Sequence, residues 1–184
     1  MRHGKHIITI FGSSLPASGT REYETAYDLG LQLARAGFVV CNGGYGGVME
    51  ASARGTSDAG GFSLGVTTGF YAGQSPNKWL SEVLETATPI DRLLRLVHEG
   101  DGYVILPGGT GTLLEFAAVW EMINKEILSS RPVVFLGDFW HSVISLVSAE
   151  LVKEGRKNAT RHFLEADSPI ACVEFLTNYF KVQQ

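Results

Sequence analysis

Tyr103-Val104-Ile105-Leu106-Pro107-Gly108-Gly109-Thr110-Gly111-Thr112-Leu113-Leu114-Glu115 decides the reading of this chain. It runs from an apolar strand (Tyr103–Leu106) through a glycine loop (Pro107–Thr112) into a helix predicted over Leu113–Leu128. The same grammar occurs twice more. Ile7–Phe11 leads into Gly12-Ser13-Ser14 and a helix over Thr20–Ala36 stopped by Gly37. Phe38–Cys41 leads into Asn42-Gly43-Gly44-Tyr45-Gly46-Gly47 and a helix over Val48–Asp58.

Outward from these units the alternation continues. Ser63–Thr67 reads as a strand, Phe70–Asn77 as irregular, and Trp79–Thr86 is ambiguous. Pro89 suits the first turn of a helix carrying Ile90, Leu93, Leu94, Leu96 and Val97. Pro132–Leu136 reads as a strand, and Phe139–Glu154 and Pro169–Phe180 as helices. Strand–helix alternation argues for an α/β fold with a mainly parallel sheet. Continuous apolar strands such as Val133-Val134-Phe135-Leu136 imply helices on both faces. No solenoid repeat and no linker divides the chain, so residues 1–184 are expected to form one domain.

Composition excludes several classes. Glycine makes up 22 of 184 residues, about 12% against a usual 7% or so. No Gly-X-Y period is present, and apolar residues are too plentiful for a disordered linker. The net charge is −4 and no Lys/Arg cluster forms a basic face, which argues against nucleic-acid binding. No apolar stretch is long enough for a membrane span, and the run after Lys5 is too short for a signal peptide. Cys41 and Cys172 have neither metal-ligand spacing nor the numbers for a disulfide scaffold, so a reducing cytoplasm is expected.

Three glycine loops at strand ends point to a phosphate or nucleotide site. Ligands of open α/β sheets bind at the carboxyl ends of strands. Glycine permits close backbone approach, and the following helix aims free N–H groups and its positive dipole end at an anion. Gly12, Ser13, Ser14, Gly43, Gly44, Gly46, Gly47, Gly108, Gly109, Thr110, Gly111 and Thr112 are the candidate phosphate-binding residues. Neither Gly-x-x-x-x-Gly-Lys-Ser/Thr nor a proper Gly-x-Gly-x-x-Gly occurs, which disfavours P-loop NTPases and dinucleotide dehydrogenases.

Glu115 is expected in the first turn of its helix, just behind the anion cradle. There a carboxylate can orient water or stabilise a sugar cation. Arg92 and Arg95 share one helix face, and a buried Arg needs an anionic partner. Glu115, a substrate phosphate, Asp91 and Glu99 are the alternatives. Asp101 reads as a turn residue, His98 as a helix-end residue, and Trp120 and Trp140 as core or interface. His141 and His162 have no metal-ligand spacing, and no Gly-x-Ser-x-Gly elbow is present.

Pro107-Gly108-Gly109-Thr110-Gly111-Thr112-Leu113-Leu114-Glu115 resembles the PGGxGTxxE signature of the Lonely Guy (LOG) family, cytokinin riboside 5′-monophosphate phosphoribohydrolases long mislabelled as lysine decarboxylases. Asn42–Met49 is similar to the family's GGGxxGxM motif, with Asn42 in place of the first Gly. The resemblance implies a Rossmann-like fold, a homodimer, and hydrolysis of the N-glycosidic bond of a nucleoside 5′-monophosphate to free base and ribose 5-phosphate. It implies Arg92 and Glu115 as the catalytic pair, with no metal and no organic cofactor. A small-molecule nucleotide is the implied partner. Leu93 after the Arg, Pro89 three residues before it and Glu121 past the motif Glu depart from the family and leave the base open. The alternative is a non-catalytic nucleotide- or molybdenum-cofactor carrier of the same fold.

Overall fold

The structure is a computed structural model that describes residues 1–2, 4–156 and 160–182. Its strands are β1 (Ile7–Phe11), β2 (Val39–Asn42), β3 (Ser63–Thr68), β4 (Glu82–Thr86), β5 (Gly102–Ile105), β6 (Val133–Leu136) and β7 (Phe163–Ala166). Its helices are α1 (Arg21–Arg35), α2 (Val48–Asp58), α3 (Pro89–Glu99), α4 (Thr110–Asn124), α5 (His141–Lys153) and α6 (Pro169–Val182). The strands form one sheet in the order β4-β3-β2-β1-β5-β6-β7, and every pair is parallel. The expected α/β, Rossmann-like architecture is present.

The alternation of the strands splits the core. Ile8 and Ile10 of β1 face one side, under α1, α2 and α6, while Ile7 and Phe11 face the other, under α3, α4 and α5. Trp120 and Trp140 belong to that second core, where Trp140 Nε1 donates to the Leu106 carbonyl at 3.0 Å. Among the described residues no helix is long and apolar enough to cross a membrane.

Glycines in mid-helix have a packing reason. α1 and α2 touch backbone to backbone: a Cβ on Gly55 would stand 2.0 Å from the Tyr27 carbonyl oxygen, and one on Gly30 2.1 Å from that of Ser52. Alanine at position 55 gains about 1 kcal/mol of helix propensity. It then forces two backbones apart, and overpacking costs about 1–3 kcal/mol when side chains alone must give way. Gly55→Ala is therefore expected to lower the urea midpoint; an unchanged or higher midpoint would contradict this packing.

The helix that begins at Thr110, not Leu113, takes Thr110-Gly111-Thr112 out of the loop, because Gly109 is its N-cap. Glu115 consequently lies in the second turn of α4, not the first. α4 ends at Asn124 rather than Leu128, since Glu126 takes φ +59 and turns the chain. β7, unread in the sequence, and β4, left ambiguous there, are the two edge strands, and both mix polar with apolar residues.

The topology fixes where a ligand can sit. Strand order reverses at β1, which pairs with β2 on one side and β5 on the other. The loops leaving β1 and β5 therefore flank a switch-point crevice. The β3–β4 crossover carries no helix and passes over the same end of the sheet.

Candidate functional site

Backbone hydrogen bonds join the crevice loops before any ligand is considered. Ser13 N donates to the Pro107 carbonyl at 3.2 Å, and Val48 N donates to the Ser13 carbonyl at 2.9 Å. A cavity of about 380 Å³ opens between them. That is a size suited to a small organic ligand.

One end of the cavity presents backbone donors at a helix N-terminus. Gly109, Thr110, Gly111 and Thr112 line it, and the α4 N-cap has no side-chain hydrogen bond. The first amides of a helix have no intrahelical acceptor, and the dipole adds positive potential there. Gly12, Ser13 and Ser14 form the opposite wall. The Ser13 hydroxyl accepts from Leu15 N at 3.2 Å, leaving its proton to donate.

The loop after β2 contributes differently. Gly43 lines the cavity; Gly44, Gly46, Gly47 and Gly108 do not. Gly47 holds φ +65 and lies so near the chain at Ser13–Ser14 that a Cβ would stand 2.4 Å from the Ser14 carbonyl carbon. The first amide of α2 is already spent on Ser13, so the uncommitted helix-start amides at the crevice are those of α4. Gly108 makes room for the Thr112 side chain, 2.2 Å from where its Cβ would be.

Arg92 and Glu115 meet at the cavity floor. Thr88 caps α3, accepting from Asp91 N at 3.1 Å and donating to the Asp91 carboxylate at 2.7 Å. Asp91 is thereby occupied, and Arg95 pairs with Glu99 at 2.6 Å. Arg92, only 8% exposed, donates from Nε to the Val66 carbonyl at 2.8 Å and from Nη2 to the Gly43 carbonyl at 3.0 Å. Its Nη1 stands 3.6 Å from Glu115 Oε1. Of the partners open to Arg92 among this chain's carboxylates, the structure selects Glu115. The guanidinium also lies 5.5 Å from the Tyr45 ring centre and 5.9 Å from that of Tyr71.

Burial dominates the chemistry of Glu115. It pushes the carboxyl up to about 7, against the opposing pull of Arg92. Desolvation outweighs the ion pair because 3.6 Å is too long for a charge-assisted hydrogen bond. Near neutral pH the group is present in both protonation states, the condition for general acid and base work.

Several site residues escaped the sequence reading. Tyr45, Met49, Tyr71 and Gln74 line the cavity. Tyr45 sits within a glycine loop, which was a usable signal. Its hydroxyl donates to the Thr68 carbonyl at 2.7 Å and accepts from Thr68 N at 2.9 Å. Asn42 orders the loop that carries Gly43. Its amide donates to the Met49 carbonyl at 3.0 Å and to Ser52 Oγ at 3.1 Å, and accepts from Gly44 N at 2.9 Å. The remaining candidates lie elsewhere: Asp101 accepts from Ile7 N at 2.9 Å, His141 faces Glu165, and His162 faces Ser130. Among the described residues no group of three His, Cys, Asp or Glu side chains could hold a metal ion.

Known proteins resemble this chain along most of its length. A family model described as the SLOG cluster4 family matches residues 5–172. An uncharacterized protein of Archaeoglobus fulgidus is 32% identical over 62% of this chain and 74% of its own. A protein of Rhodococcoides fascians named cytokinin riboside 5′-monophosphate phosphoribohydrolase is 27% identical over 84% of this chain and 80% of its own. The solved structure of a molybdenum cofactor binding protein from Rippkaea orientalis superposes with a TM-score of 0.74 at 26% identity, covering 96% of this chain and 98% of that one.

Proposed function

The chain belongs to the LOG-like SLOG cluster4 family, and on that premise we propose that it hydrolyses the N-glycosidic bond of a nucleoside 5′-monophosphate. The observation that carries the reading is the Arg92–Glu115 pair, buried beside an anion seat with its carboxyl raised to about 7. The relative from Rhodococcoides fascians supports it.

The phosphate sits on the first amides of α4, with hydroxyls from Ser13, Ser14, Thr110 and Thr112 around it. The ribose then lies over Glu115. As the C1′–N bond breaks, its electron pair leaves with the base and positive charge develops on the sugar. Glu115, as carboxylate, stabilises that charge and takes a proton from the water that bonds to C1′. The proton then passes to the departing base, which restores the carboxylate. Arg92 holds Glu115 in place and keeps part of it ionised. Arg92 itself stays charged and donates no proton.

A second reading is favoured by the structural likeness to the Rippkaea orientalis protein: a carrier that holds a phosphate-bearing cofactor in the same crevice. Mass spectrometry of the supernatant from denatured protein separates the two. A carrier releases an intact ligand in near-stoichiometric amount, whereas a hydrolase releases none with its glycosidic bond intact.

Two finer points follow from the same premise. Ile90, Leu94, Leu113, Leu114 and Leu146 expose apolar surface on the α3–α4–α5 side, which suits a homodimer interface. Sedimentation is expected to give twice the 19.9 kDa chain mass; a single-chain mass contradicts the dimer. Cys41 and Cys172 are buried and unbridged, as suits a reducing compartment such as the cytoplasm.

A further inference from the structure

The crossover from β3 to β4 supplies what the glycine motifs do not. The stretch from Thr68 to Asn77 is pinned at both ends to the loop after β2. Tyr45 holds Thr68 at one end through two hydrogen bonds of 2.7 and 2.9 Å. At the other, Asn77 Nδ2 donates to the Gly44 and Tyr45 carbonyls at 3.1 and 3.0 Å, and Asn77 N donates to the Gly44 carbonyl at 2.8 Å. The span between these anchors therefore stays over the cavity, and it presents Tyr71 and Gln74 to it.

The order of groups along the cavity is fixed by the elements that carry them. The anion seat is at Gly109–Thr112. Glu115 follows on the same helix, about 7 Å further along its axis from Thr110 by helix rise. Arg92 lies beyond Glu115, and the Tyr71 ring lies beyond Arg92, at 5.9 Å from the guanidinium. A nucleotide with its phosphate on α4 and its glycosidic bond at Glu115 has Arg92 and, past the guanidinium, the Tyr71 ring as the neighbouring surface for its base. Of the two adjacent aromatic side chains, Tyr71 lines the cavity and Phe70 lies outside its lining. Tyr71 is 37% exposed, and Phe70, edge-on to it at 6.5 Å, is 70% exposed.

We propose that Tyr71, backed by Phe70, is the stacking surface for the base, so that this crossover sets the specificity for the leaving group. The proposal rests on the nucleotide reading above. A flat ring gains a stacking partner and loses water on one face, while the sugar phosphate is held by α4 and the serines independently. Discrimination between a nucleotide and a bare sugar phosphate therefore belongs to Tyr71 and not to the glycine loops.

Calorimetric titration tests this, with Glu115→Gln in every protein so that turnover is slowed during the measurement. AMP and ribose 5-phosphate are the two probes. Tyr71→Ala is expected to weaken AMP binding about 10- to 100-fold, the size of one base–aromatic stack. Ribose 5-phosphate affinity is expected to stay within about twofold, and Tyr71→Phe to restore AMP binding. If Tyr71→Ala weakens both probes equally, or neither, the stacking subsite is overturned while the nucleotide reading stands. If the protein with Tyr71 intact binds neither probe, the nucleotide reading fails and the subsite falls with it.

Discussion

Glu115→Gln is expected to lower turnover of nucleoside monophosphates by about 10²- to 10⁴-fold, the usual contribution of a positioned acid–base group. The amide keeps the shape of the carboxyl and cannot carry the proton from water to base. The same substitution is expected to stabilise the fold in alkaline solution. The Glu115 carboxyl titrates at about 7 in the folded chain and at 4.5 as an ordinary Glu. Between those values the folded state binds more protons than the unfolded state, so stability falls as pH rises through the window. Above pH 7 the full penalty is present, on the order of 3 kcal/mol at most, and the Arg92 left unpaired in the variant subtracts from the gain. Below pH 4.5 the carboxyl is neutral in both states and the penalty disappears. Urea titrations at pH 8 and pH 4.5 check this: the variant gains relative to wild type at the higher pH. A variant less stable at pH 8 than at pH 4.5, relative to wild type, would contradict the desolvation of Glu115. In the wild type, the rate is expected to rise with pH through about 7, as the carboxylate form accumulates.

Arg92→Ala is expected to cost more in stability than any other single change at the site. It removes the cation facing Glu115, so the buried carboxyl is left unpaired where it is ionised, a loss that reaches about 3–5 kcal/mol in alkaline solution. The Val66 and Gly43 carbonyls lose their donors at the same time. With the opposing charge gone, burial acts on Glu115 alone and its titration moves upward. The acidic limb of the rate profile should shift to higher pH in whatever activity remains. Arg92→Lys is not expected to rescue it, because one ammonium cannot reproduce a fork that reaches Val66, Gly43 and Glu115 in fixed directions. Thermal melts and a pH–rate profile give both readings. An unmoved profile in Arg92→Ala would separate Arg92 from Glu115 and undo the pairing.

Much of this was legible in the residues because the punctuation is strong. β1 and α2 match their predicted bounds, and α1, β2 and β5 are displaced by a residue or so, since apolar runs there end at Gly or Pro. Pro107–Thr112 misled for a physical reason. A glycine loop that seats an anion is also a helix N-terminus, so composition reads as loop where the backbone has already begun to wind. That displacement moved Glu115 by one turn while leaving it beside the seat. β4 and β7 were hard to read because edge strands need no continuous apolar run, and Glu85 and Glu165 interrupt theirs. At the site, the motifs gave Arg92, Glu115 and the lining glycines. Tyr71 and Gln74 acquire meaning only from the path of the helix-free crossover, which no local pattern encodes.

The most direct test is a timed product assay in which purified wild-type protein and Glu115→Gln are incubated separately with AMP and related purine monophosphates at pH 7 and above. Free base and ribose 5-phosphate appearing in equal amounts with wild type, and at no more than about one hundredth of that rate with Glu115→Gln, is the expected result. Recovery of every nucleotide intact from the wild-type reaction, or equal turnover by the two proteins, would contradict a phosphoribohydrolase built on Arg92 and Glu115.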